Sequence, residues 1–132
     1  MARAVRIALV EREVHERLSR AALDAIMAHA EVISEGQRAE RNGQDSYLGS
    51  TMATIDLDSL GLVIREPGDA GMARRLAALL RADPTVKARV DALAFREVLR
   101  VTGTRPKSVR GEIQIREQGT RVFIDADVEA SF

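Results

Sequence analysis

The run Thr102-Gly103-Thr104-Arg105-Pro106-Lys107-Ser108-Val109-Arg110-Gly111 gathers three cations, three hydroxyls and two glycines into one connection. With Arg100 just ahead of it, it makes Arg100, Arg105, Lys107 and Arg110 the candidate anion-binding residues, since guanidinium and ammonium groups are the usual partners of phosphate. A P-loop is a stricter arrangement. It needs G-x-x-x-x-G-K-[ST] between a strand and a helix, so that amides and the helix N-terminus meet the phosphates. Here the second glycine is missing, Pro106 removes an amide, and the expected order is helix to strand. What is left is a basic connection suited to an anion or an acidic partner. Residues 96–110 form the most cationic stretch of the chain, with Glu97 the one acid among them.

A second group is Glu112, Asp125, Asp127 and Glu129, which alternate along the last part of the chain. If Glu112 and Asp125 oppose each other across a hairpin, their like charges need compensation. The ordinary reading is a solvated face. Arg110 or another arginine could neutralise it, and a divalent cation is the sharper alternative, because Mg²⁺ and Ca²⁺ take carboxylate oxygens. His15 and His29 are the two histidines, and neither has metal or catalytic spacing; His29 borders an apolar stripe and is expected to be partly buried. No G-x-S-x-G elbow is present, and no nucleophile stands beside a base. These absences lean against an enzyme without excluding one assembled from distant residues, such as a metal-dependent one using Glu112, Asp125 and Asp127, and no cofactor is expected.

Composition narrows the classes further. The chain has 132 residues, 45% hydrophobic and 30% charged, which suits one domain spanning 1–132. There is no cysteine, so disulfides, thiolate zinc sites and cysteine nucleophiles are excluded. Twenty basic residues balance twenty acidic ones, whereas nucleic-acid binding calls for a basic excess. Few aromatic residues are available as stacking platforms, so nucleic acid is an unlikely partner. Eighteen of the basic residues are Arg and there are twenty Ala, a mixture typical of GC-rich bacterial coding sequence. The first residues are too charged for a signal peptide, and no apolar run of 18 residues occurs, so no membrane span is expected and the location reads as cytoplasmic.

The elements that must carry these groups follow from periodicity. Ile7, Val10, Val14, Leu18, Ala21, Ala25 and Val32 recur at helical spacing, which predicts a long amphipathic helix over residues 7–33, of 35 residues if it persists to Arg41, with a start near residue 3 also open. A short strand at 3–10 is the alternative for its start. Residues 42–50 read as a loop. Alternation from Thr51 predicts a hairpin over 51–66 with a reversal at Asp58-Ser59. Asp69 would cap a helix through Met72, Leu76, Leu79 and Leu80; Asp83 would cap another beginning at Pro84 and running to about Val101. That last helix shows two stripes, Val86, Val90, Leu93 and Val101 on one side and Ala88, Ala92, Phe95 and Leu99 on the other. A final hairpin with a reversal at Gln118-Gly119 pairs Glu117 with Thr120, Ile115 with Val122 and Ile113 with Ile124.

The expected architecture is α+β, two-layered, with an antiparallel sheet of two hairpins, a long N-terminal helix and a central helix pair in the order α-ββ-αα-ββ. More apolar helix surface is present than one small sheet needs. The functional expectation is a non-catalytic bacterial interaction or assembly protein that forms a homo-oligomer or binds another protein, with Val14, Leu18, Phe95 and Leu99 at the interface. A small regulatory domain holding a phosphate-bearing ligand at 102–111 is the alternative.

Overall fold

The computed structural model of the chain describes residues 20–57 and 70–132. They form α1 (Arg20–His29), β1 (Glu31–Arg41), β2 (Gln44–Asp56), α2 (Ala70–Ala82), α3 (Val86–Thr102), β3 (Ser108–Gln118) and β4 (Arg121–Ser131). The four strands make one antiparallel sheet in the order β1-β2-β4-β3, so the fold is α+β with two hairpins and a central pair of helices. Among the described residues no helix is long and apolar enough to cross a membrane.

The first hairpin is where the sequence reading is corrected. Residues 31–41 are a strand, not the continuation of a helix, and the first helix ends at His29. The cause is Asn42-Gly43. Both residues have positive φ, 53° and 75°, the backbone of a two-residue turn whose twist matches paired strands. That turn folds Glu31–Arg41 onto Gln44–Asp56, and the β-branched pair Val32-Ile33 suits a strand. Residues 42–50 are therefore a turn and half a strand, not a loop. β2 runs between β1 and β4 in place of the expected 51–66 hairpin, whose second strand lies outside the described residues. α1 also presents a different face: Ala22, Leu23 and Ile26 are buried, Ala21 and His29 exposed. Burying Leu23 and Ile26, the bulkiest apolar side chains of this segment, outweighs the alanine-rich stripe. The earlier part of the predicted helix, including Val14 and Leu18, lies outside the described residues.

Hydrogen bonds at both ends of the central ladder set its register: Phe132 N–H donates to Asp45 O (3.1 Å) and Leu57 N–H to Thr120 O (3.0 Å). Odd positions of β2 and even positions of β4 then share the buried face, which carries Tyr47, Thr51, Ala53 and Ile55 from β2 and Val122, Ile124, Ala126, Val128 and Ala130 from β4. Arg121 and Asp56 pair on the opposite face.

The last hairpin has the expected faces and a different register. Ser108 meets Ser131 (2.6 Å), Arg110 meets Glu129 (3.3 Å) and Arg116 lies 4.1 Å over the Phe123 ring, all on one register two residues from the expected one. The turn is Gly119-Thr120, and Gly119, at φ 61°, occupies its first central position. A reversal at Gln118-Gly119 would have placed positive φ on Gln118, whereas the turn with glycine first confines it to glycine. A two-residue shift preserves the apolar face, so hydrophobic pattern alone does not separate the two registers.

The described residues gather into two compact units. One comprises 20–31, 54–57, 70–83 and 115–123; the other 32–53, 84–114 and 124–132. In the first, α2 buries Ala73, Leu76, Ala77 and Leu80 at helical spacing, and Arg81 in its last turn donates to Ile115 O on β3 and to Glu117. In the second, α3 begins at Val86, two residues later than expected, because Pro84 and Thr85 form a turn after Asp83. It ends at Gly103, which adopts φ 72° and donates its N–H to Leu99 O.

Candidate functional site

The groups with most chemistry lie in the second unit, between α3 and the sheet. α3 buries Val86, Val90, Ala94, Glu97 and Val98. This stripe replaces the expected Val86, Val90, Leu93 and Val101, and it contains a carboxylate. Glu97 is 4% exposed. Ser34 on β1 donates to its Oε1 (2.9 Å) and shares a hydrogen bond with Thr51 across the first hairpin (2.9 Å). Arg100, one turn on, donates from Nη2 to Oε1 (3.0 Å) and from Nε to Oε2 (3.1 Å). These bonds, Arg100 first, hold the Glu97 carboxyl below the usual range against the opposing effect of burial. Beside it, burial pushes the Tyr47 phenol up, and the Glu97 charge adds to that.

Tyr47 is 1% exposed because two glycines make room for it. Gly36 and Gly49 share the register that pairs Ser34 with Thr51. A Cβ on Gly36 would fall on the Tyr47 ring, and one on Gly49 would meet the Glu35 carbonyl, Gly36 Cα and the Tyr47 hydroxyl. The missing side chains leave the ring room to lie over Gly36 of β1. Near the turn, Arg38 donates from Nε to Asp45 Oδ1 (2.8 Å) and from Nη1 to Thr104 Oγ1 (2.8 Å), and its guanidinium stacks 4.1 Å from the Phe132 ring. Asp45 is held below the usual carboxylate range by the Arg38 hydrogen bonds.

The candidate anion-binding residues are distributed among different partners. Arg100 is committed to Glu97, and Arg105 lies 5.5 Å over the Phe95 ring. Lys107 and Arg110 open onto one shallow depression of about 540 Å³, which Asp45 and Glu129 also line; Arg100 and Arg105 do not. Arg110 is already paired with Glu129. Of the acidic group, Glu112, Asp127 and Glu129 border a neighbouring depression of about 680 Å³ together with Lys87, Asp91 and Arg110. Among the described residues no group of three carboxylates or imidazoles is placed to hold a metal ion.

The second stripe of α3 faces outward. Ala88 and Ala92 are exposed, Phe95 is half-buried under Arg105, and Leu99 is 39% exposed; Val101 is 38% exposed. The buried Glu97, Ser34, Thr51 and Tyr47 arrangement was not singled out from the sequence. A signal for it exists, since Glu97 falls at helical spacing from Val90, Ala94 and Val101 with an arginine three residues on. Comparison with protein-family models, curated proteins and solved structures finds no match.

Proposed function

We propose that the chain is a non-catalytic interaction or assembly protein whose partner is a second copy of itself. The observation that carries this reading is the exposed apolar stripe of α3, with Leu99 open to solvent in the last turn and two alanines, small enough for close approach, on the same side. Symmetric pairs are the commonest oligomers, and a helix apolar on two sides suits a core on one and a subunit on the other. The Glu97 group supports a structural role: both oxygens of its buried carboxylate accept hydrogen bonds, from Arg100 and, at Oε1, from Ser34 as well. A cytoplasmic, bacterial setting fits the composition. The regulatory reading, an anion held by Lys107 and Arg110, has less behind it because Asp45 and Glu129 share that depression.

Light scattering after size-exclusion chromatography tests the proposal. The wild type is expected at twice the chain mass at micromolar concentration, and Leu99→Asp at the single-chain mass with its fold retained, since Leu99 is not a core residue. A wild type that stays monomeric throughout that range removes the reading.

A further inference from the structure

The two edges of the sheet are treated differently by the rest of the chain. A two-residue turn makes the residues on either side of it a hydrogen-bonded pair, and alternate residues then direct their backbone groups outward. On β3 the outward residues are the odd ones, and two of their carbonyls are taken: Lys87 Nζ donates to Gly111 O (3.1 Å), and Arg81 donates to Ile115 O (2.5 Å from Nη2). Cationic side chains laid over an edge are a standard defence against added strands. On β1 the outward residues are Val32, Ser34, Gly36, Arg38 and Glu40. Among the described residues no side chain is bonded to their carbonyls, although β1 is an edge strand of 11 residues without proline.

We infer that the β1 edge pairs antiparallel with β1 of a second copy, joining two four-stranded sheets into one of eight. This rests on the self-association proposed above and assigns it a surface. With the two-fold at Gly36, Ser34 falls opposite Arg38, Val32 opposite Glu40, Glu35 opposite Gln37 and Ile33 opposite Ala39. Position 31, acidic in the sequence, falls opposite position 41, basic. No like charges face each other, and the 49% exposed Ile33 gains an apolar neighbour. A register one step shorter would oppose Glu35 to itself. The mixed charges on β1 thus discourage unrelated strands while matching their own copy.

α3 gives independent support. Lys87 contacts β3 and Glu97 contacts β1, so about 15 Å of helix spans the roughly 14 Å of three strand spacings. The next turn, holding Leu99 and Val101, lies between Glu97 and Thr104, which both bond side chains of β1, and so stands at the edge strand of the described sheet. Val101 sits at helical spacing from the buried Ala94, Glu97 and Val98 and yet is 38% exposed. A strand added to β1 supplies the surface that this turn lacks.

Proline scanning of β1 tests the inference, because proline at an outward position removes only a hydrogen bond to the copy. Glu40→Pro and Val32→Pro are expected at the single-chain mass with thermal midpoints near that of the single-chain wild type at high dilution. Ala39→Pro, which breaks the β2 ladder, is expected to lose the fold. In the wild type, the amides of Val32, Ser34, Arg38 and Glu40 are expected to exchange with deuterium at least tenfold faster on dilution to the single-chain form. If Glu40→Pro stays at twice the chain mass while Leu99→Asp becomes monomeric, pairing through β1 is wrong and self-association stands. If the wild type is monomeric with those amides protected, a segment of the same chain fills the edge and both readings fall. If either proline variant fails to fold, the dilution dependence of the wild-type exchange decides: amides indifferent to dilution overturn the pairing.

Discussion

Gly49→Ala is expected to destabilise the protein by about 3 kcal/mol, the upper part of the range for overpacking a core. The sign is informative, because glycine to alanine in a strand ordinarily stabilises by about 0.5–1 kcal/mol through backbone entropy. Here sterics win. The new methyl would meet the Glu35 carbonyl and Gly36 Cα, and backbone cannot turn aside as a side chain can. Gly36→Ala faces a different obstacle, the buried Tyr47 ring. Tyr47→Val, which deletes the ring, costs about 3 kcal/mol by itself, as removal of a buried aromatic does. It should nevertheless abolish most of the penalty of Gly36→Ala and little of that of Gly49→Ala. Urea unfolding of the single and double variants measures both couplings. An unchanged midpoint for Gly49→Ala would show that the close backbone approach does not matter, and no coupling between Tyr47 and Gly36 would show that the ring does not depend on that glycine.

These glycines also mark how far the fold could be read from residues alone. Class and element order were legible because they depend on periodicity and on strong breakers such as Asp83-Pro84, while the faces of β4 followed from plain alternation. The first hairpin was hidden by a local conflict. Val32, following Ala21 and Ala25, carries a helical stripe into the start of Glu31–Arg41, and only Asn42-Gly43, taken as a turn of defined geometry, reveals the pairing. The final register was hidden for another reason: Ile113 and Ile115 stay on the apolar face whichever of two registers is chosen, so the decision passes to the φ of Gly119. The site was hidden because a buried carboxylate contradicts composition-based burial. The helical spacing of Glu97 hints at it, but its partner Ser34 is distant in sequence and is brought to it only by the fold. The sequence offers Arg100 as an anion-binding residue or a partner of Asp125, Asp127 or Glu129, whereas its partner is Glu97, one helical turn away.

That partnership makes Arg100→Ala the most telling charge substitution. The Arg100 side chain is 60% exposed, so the direct attraction is weakened by solvent and the arginine itself loses little when released. The cost falls on Glu97, whose side chain is 6% exposed and would keep Ser34 as its donor. Losing hydrogen bonds to a buried charged group costs about 1.5–3 kcal/mol. Arg110→Ala, which breaks an exposed pair with Glu129, should change stability by no more than about 0.5 kcal/mol and serves as the control. The deficit should also depend on pH. In the wild type the folded Glu97 pKa lies below its unfolded value, chiefly through Arg100. The stability it contributes is therefore complete above the ordinary glutamate range and is lost as pH falls through the lowered folded value. Without Arg100 the opposing effect of burial gains weight, and the folded carboxyl accepts a proton more readily. The gap between wild type and Arg100→Ala is thus largest at neutral pH and narrows as pH falls through the folded Glu97 value of the variant toward the lower one of the wild type, the unfolded chains titrating alike. Contributions of the other carboxylates are common to both proteins and cancel in the difference. Urea midpoints at neutral pH and through the acid range measure the gap, and repeating them on a Glu97→Gln background should leave it small and flat. A gap that holds constant down to the acid limit would mean that Arg100 stabilises the helix end through some contact other than Glu97.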